Sequence, residues 1–156
     1  MREIKFRVWC EFEINGKIET SMEEPCSWFL LTQTGTLLES GPMRSPQPLN
    51  KAYKKVISLF YTGQKDKNNK EIYEGDIVKW FKEFDFVVGG CKEIEYANFQ
   101  VVFEDSAFWL KEIDSDDPDE RNNRLVRNSC EILWEKYDTP ICEVIGNIYE
   151  NLELMK

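Results

Sequence analysis

The sequence predicts an all-β fold, mainly antiparallel, arranged as a curved sheet or small barrel with one or two short helices. Three observations carry that prediction. Apolar residues recur at every second position through most of the chain, tight-turn pairs separate the alternating segments, and aromatics make up 13% of the residues. A period of two places alternate side chains on one face of a strand, and aromatic side chains fit that pleated, half-buried surface.

Ile4, Phe6 and Val8 alternate with Lys5, Arg7 and Trp9 and read as the first strand. Asn15-Gly16 then stands between Phe12, Ile14 and Ile18, and both residues accept the positive φ that a type I′ hairpin turn demands. From Pro25 to Pro48 an apolar patch, Trp28 to Leu31, is mixed with Gly35, Gly41, Pro42, Pro46 and Pro48, a density of breakers that predicts a long irregular connection. Leu49 to Phe60 is ambiguous. Tyr53, Val56, Ile57 and Phe60 fit a helical stripe, but the same residues sit in a strand-like run, so a short helical turn leading into a strand is expected.

Two turn signals follow, Asn68-Asn69 and Glu74-Gly75-Asp76, and then an alternating strand from Ile77 to Phe81. Phe99 to Glu104 and Phe108 to Ile113 form the next antiparallel pair, joined at Asp105-Ser106. Asp114 to Glu120 is an acidic loop, Leu125 to Tyr137 a short helix, and Glu143 to Tyr149 the final strand. With 156 residues the chain is expected to form a single domain, 1–156, carrying variable insertions at about 20–50 and 114–140.

Composition narrows the chemistry. The 20 Lys and Arg face 29 Asp and Glu, and the net charge of −9 repels phosphate backbones and anionic lipid. Histidine is absent, which removes the usual general base at neutral pH and the commonest metal ligand. The five cysteines, Cys10, Cys26, Cys91, Cys130 and Cys142, contain no CxxC pair and read as free thiols of a reducing cytosol. No stretch has the roughly 20 apolar residues of a spanning helix, nor does the N-terminus read as a signal peptide, so a cytoplasmic location in a bacterial host is expected, without membrane contact.

Each candidate site also has a plainer structural reading. On the EF-hand spacing Asp114 and Asp116 fit positions one and three, but Pro118, Asp119 and Leu125 occupy positions that need an oxygen ligand, a glycine and a glutamate, which leaves a solvated acidic loop. Glu74 and Asp76 read first as a turn or bulge around Gly75, with Asp76 bonding nearby amides; a carboxylate metal site is the alternative. Trp80, Trp109 and Trp134 read as core. Between Arg44 and Lys70 the basic residues Arg44, Lys51, Lys54, Lys55, Lys65, Lys67 and Lys70 meet only one acid, Asp66. Interleaved with Tyr53, Phe60 and Tyr61, they admit contact with single-stranded nucleic acid through Lys65, Lys67, Lys70 and Tyr61; the plainer reading is a solvated rim.

Three strings, MREIKFRVW, FYTGQKDKNNKEIYEGDIVKW and EVIGNIYENLELM, together resemble the YopX family of phage and prophage proteins. The family pattern TGxxDKNGKEIYEGD is matched by Thr62, Gly63, Asp66, Lys67, Asn68, Lys70, Glu71, Ile72, Tyr73, Glu74, Gly75 and Asp76, with Asn69 in place of the usual glycine. The resemblance implies a compact, YopX-like, largely β protein acting in the host cytoplasm. It carries over no catalytic residue, metal ligand or cofactor. A non-enzymatic binding or assembly module is therefore expected, engaging a second copy of itself or a host or phage macromolecule; nucleic acid is the alternative partner and is disfavoured by the net charge.

Overall fold

The computed structural model describes residues 5–23, 29–32, 35–41, 43–83, 86–87, 90–91, 95–113, 124–125 and 142–155. The chain divides into two compact units, Met1–Tyr61 and Thr62–Lys156. The described residues are almost wholly antiparallel β structure, as the alternation predicts.

In the first unit, β1 (Phe6–Ile14) lies between β2 (Lys17–Glu23) and β6 (Tyr53–Lys65). Asn15 and Gly16 turn the β1–β2 hairpin at φ 52° and 76°, the doubly positive pair that a two-residue loop needs to match strand twist. Arg7, Val8, Trp9 and Cys10 are all buried, so the first half of β1 is covered on both faces, and its far half runs out into solvent at Glu13 and Ile14 without alternating. There Lys55 pairs with Glu11 at 3.7 Å and Lys54 with Glu13 at 2.7 Å.

Two expectations fail in this unit. The segment read as an irregular connection contains a second antiparallel sheet, β3 (Phe29–Leu31), β4 (Leu37–Gly41) and β5 (Arg44–Pro48). Pro46 and Pro48 are compatible with it because among the described residues β5 is an edge strand paired with β4 alone, and a missing N–H is harmless on the other edge. The helical stripe from Tyr53 to Phe60 does not form either: the expected turn is confined to Asn50–Tyr53 and the strand begins at once. Asn50 Oδ1 accepts the Ala52 N–H and Asn50 O accepts the Tyr53 N–H, a single turn that delivers the chain into β6. Long-range pairing with β1 decides what the local pattern left ambiguous.

The last residues of β6 fall in the second unit, beside β7 (Glu71–Tyr73). Next come β8 (Asp76–Glu83), the two-residue strands β9 (Phe86–Val87) and β10 (Gly90–Cys91), β11 (Glu95–Glu104), β12 (Ala107–Glu112), β13 (Arg124–Leu125) and β14 (Glu143–Asn147). Five of these form one sheet, in the order β13-β12-β11-β8-β14. Asp105 and Ser106, at φ 49° and 65°, close the β11–β12 hairpin where the sequence placed it.

The core of this unit follows from the register. Val78 faces Phe99, Trp80 faces Ala97 and Val101 faces Leu110. With Ile72 and Cys142 the buried ones form one cluster, against which Ala97 packs, and Trp80 and Phe99 are its largest side chains. Trp109 is half-buried and donates from Nε1 to Glu104 O. Trp134 and the acidic loop lie outside the described residues, as does the expected helix at 125–137 apart from Leu125, which belongs to β13. Among the described residues the helical structure is a 3-10 turn, Leu152–Met155. The final strand stops at Asn147 rather than Tyr149, because Asn147 Oδ1 accepts the N–H groups of both Tyr149 and Glu150 and turns the chain.

Candidate functional site

The strings that carry the sequence's distinctive character are consumed in turn building. Thr62 Oγ1 donates to Ile72 O and accepts from Gln64 N–H, which fixes β6 against β7. Asp66 is buried. Its Oδ1 accepts the N–H groups of Asn68 and Lys70, each at 2.8 Å, and its Oδ2 accepts that of Val144 at 3.1 Å. Asn69 sits at φ 66° in the same turn, a conformation that asparagine takes up more readily than most residues.

Asp76 is likewise buried, and its Oδ2 accepts the Tyr73 N–H at 2.8 Å. Gly75 between the two carboxylates has φ 79°; its N–H donates to Val101 O and its carbonyl accepts from Ile148 N–H. The Glu-Gly-Asp string is thus the turn the sequence favoured. Among the described residues no three His, Cys, Asp or Glu side chains gather as metal ligands. Cys10 and Cys142 are buried and form no disulfide.

Glu74 has an electrostatic consequence. The Tyr149 phenol is raised above its ordinary value of 10.0, chiefly by burial and further by the Glu74 carboxylate. Because ionisation is harder in the folded state, the stability this contributes is present below pH 10.0 and is lost as the pH rises through the raised value. Glu74→Gln is expected to lower the phenol's titration midpoint part of the way, leaving the burial component, and phenolate absorbance against pH measures it. An unmoved midpoint would separate Glu74 from Tyr149.

The basic run is less available than its count suggests. Lys54 and Lys55 spend their charge on Glu13 and Glu11, and Lys67 Nζ meets Glu143 at 2.5 Å. The Lys67 ammonium is held above its ordinary value by the hydrogen bond to Glu143, and Glu143 below its own by the same bond. The carboxylate's share is present above pH 4.5 and lost as pH falls through its lowered value; the ammonium's is present below pH 10.5 and lost as pH rises through its raised one. Both groups are exposed, so solvent screening keeps the effect small. Lys65 and Lys70 are exposed in the second unit. Tyr61 belongs to the first unit, where Lys5 Nζ lies 5.6 Å from its ring centroid.

A recess of about 420 Å³ opens in the first unit instead. Phe12 and Ile14 from β1, Phe29 from β3 and Tyr53 from β6 form its apolar wall. The Tyr53 ring meets Phe12 at 6.3 Å and 65° and Phe29 at 6.0 Å and 71°, two edge-on contacts that hold the three aromatics as a group. Two carboxylates complete the lining. Glu39 stands directly across from Phe29 in the β3–β4 register, and Glu23 on β2 accepts the Ser21 hydroxyl at 2.8 Å.

Sequence reasoning did not assemble this recess, because Phe29 and Glu39 fall in the segment read as irregular. The one local sign was the apolar patch from Trp28 to Leu31, which has no purpose in a solvated connection.

These features define an all-β protein with an aromatic-walled cleft and signature residues given over to turns. The chain belongs to the YopX protein family, whose pattern matches residues 5–156. No curated protein matches it. Among solved structures it is similar to protein EF1440 from Enterococcus faecalis, with 20% identity, 99% of each chain covered and a TM-score of 0.49. No described helix is long and apolar enough to cross a membrane.

Proposed function

We propose that this chain is a non-enzymatic protein-binding or assembly module of the bacterial cytoplasm, in the phage or prophage setting its family resemblance implies, and that it engages its partner at the cleft of the first unit. The observation that carries this reading is the Phe12, Tyr53 and Phe29 group held open at a concave surface. Rigid aromatic anchors in a recess are the usual seat of binding energy between proteins, and they lose little conformational entropy when covered. The turn-building use of Asp66, Gly75 and Asp76 supports a scaffold role for the strings shared with the family. Buried cysteines outside any disulfide, Cys10 and Cys142, suit a reducing compartment.

The test is affinity capture from host and phage-infected lysates, paired with light scattering on the purified protein. Wild type is expected to retain a specific protein or to self-associate, and Phe29→Ala, shown to be folded by circular dichroism, is expected to lose that interaction. A strict monomer that retains nothing would end the proposal.

A further inference from the structure

The two cleft carboxylates differ from the four acids that carry lysine partners. Glu11, Glu13, Glu104 and Glu143 each have a lysine within 4 Å, at 3.7, 2.7, 2.5 and 2.5 Å. Among the described residues, Glu23 and Glu39 have no ion-pair partner, and no residue lining the cleft is basic. They project from different strands, β2 and β4, toward a recess whose apolar wall is Phe12, Ile14, Phe29 and Tyr53. Two negative groups and a set of π faces around a cavity of about 420 Å³ attract a cation with an apolar or planar body.

Arginine fits that demand better than lysine. Its planar guanidinium offers five donors to carboxylate oxygens while stacking on aromatic faces, and its weaker hydration lowers the cost of entry. We propose that the cleft binds an arginine side chain of the partner protein, with Glu39 and Glu23 accepting from the guanidinium and the Phe12, Tyr53 and Phe29 group flanking its plane. This deepens the binding-module reading and rests on it. The recess also has the volume for a side chain together with a short stretch of backbone, within the range of roughly 300–1,000 Å³ usual for ligand sites.

Amide spectra of the ¹⁵N-labelled full chain, titrated with N-acetyl-arginine methylamide, test the assignment. Saturable shifts are expected in β1, β3 and the Ala52–Tyr53 turn. The neutral isostere N-acetyl-citrulline methylamide is expected to bind about tenfold more weakly, the effect of losing one charged hydrogen-bonded pair. N-acetyl-lysine methylamide is expected to fall between the two. Glu39→Gln should weaken the arginine probe by a similar factor, and Glu153→Gln, an exposed acid of the second unit, should leave it unchanged.

Absence of cleft shifts, equal binding of arginine and citrulline, equal binding of arginine and lysine, or an equal response of the Glu153→Gln variant each overturns the assignment. Failure here with cleft-dependent partner capture intact removes arginine and leaves the binding module. Saturable arginine binding in a chain that captures no protein supports the pocket and removes the module.

Discussion

Asp66→Ala is expected to lower the folding free energy by about 3–5 kcal/mol, a large share of the roughly 5–15 kcal/mol that holds an ordinary domain together. One buried carboxylate serves three backbone donors, those of Asn68, Lys70 and Val144. Bonds to a charged acceptor are worth about 1.5–3 kcal/mol each, but the full sum is not reached because Asn68 and Lys70 lie at exposed positions where water can replace the lost acceptor. The Val144 amide, in strand β14, is the costly one to abandon.

Asp66→Asn sharpens the expectation. It keeps one oxygen for the local turn but presents an N–H₂ where Val144 needs an acceptor, so it should fall between wild type and alanine. Denaturant unfolding at an unchanged slope provides the measurement. An alanine variant whose midpoint lies within about 1 kcal/mol of wild type would show that the turn is organised by something other than this side chain.

Asp66 also shows where sequence reading stops. Counted as charge, it is the single acid in a basic run and says nothing more. Its role depends on Val144, 78 residues away, and no local pattern encodes that meeting. The hairpins are the opposite case. Asn15-Gly16 and Asp105-Ser106 are legible because a backbone angle few residues tolerate is written directly into residue type.

The Glu-Gly-Asp turn was legible for the same reason, since the positive φ of Gly75 and the Asp76 bond to the Tyr73 N–H are local, although the backbone bonds of Gly75 to Val101 and Ile148 were not. The cleft was not. It requires Phe29 to stand opposite Glu39 across two short strands and Tyr53 to reach both Phe12 and Phe29, so it comes into view only once the register is known. The prolines that suggested irregularity mark an edge strand, a distinction of position in the sheet rather than of composition.

The second large effect is expected at Gly146, where the constraint is space. A methyl group there would lie 2.5 Å from Asn151 Oδ1, 2.9 Å from its Cγ and 2.9 Å from Leu154 Cδ1. Asn151 cannot simply move away, because its Oδ1 accepts the Asn147 N–H at 3.1 Å and its own N–H donates to Asn147 O at 3.0 Å. Asn147 in turn is buried and caps the turn through the N–H groups of Tyr149 and Glu150, while its Nδ2 donates to the Glu150 carboxylate. The closing string is thus one interlocked turn, packed against a strand that pairs with β8 through Gly146 and Ile77.

Gly146→Ala must either expel the Asn151 side chain or push β14 off its register, and overpacking of this kind costs about 1–3 kcal/mol. We expect the upper end of that range, because both escapes also break a hydrogen bond. The mechanism predicts a coupling as well as a loss. Asn151→Ala alone should destabilise through the orphaned Asn147 amide, but in the double variant the clash with Asn151 is gone, leaving only the flexible end of Leu154 to yield. The double variant should therefore lose less than the two single losses added together, by about 1 kcal/mol. Strict additivity in a denaturant cycle would mean that the methyl group is accommodated elsewhere and that the glycine serves some purpose other than close approach.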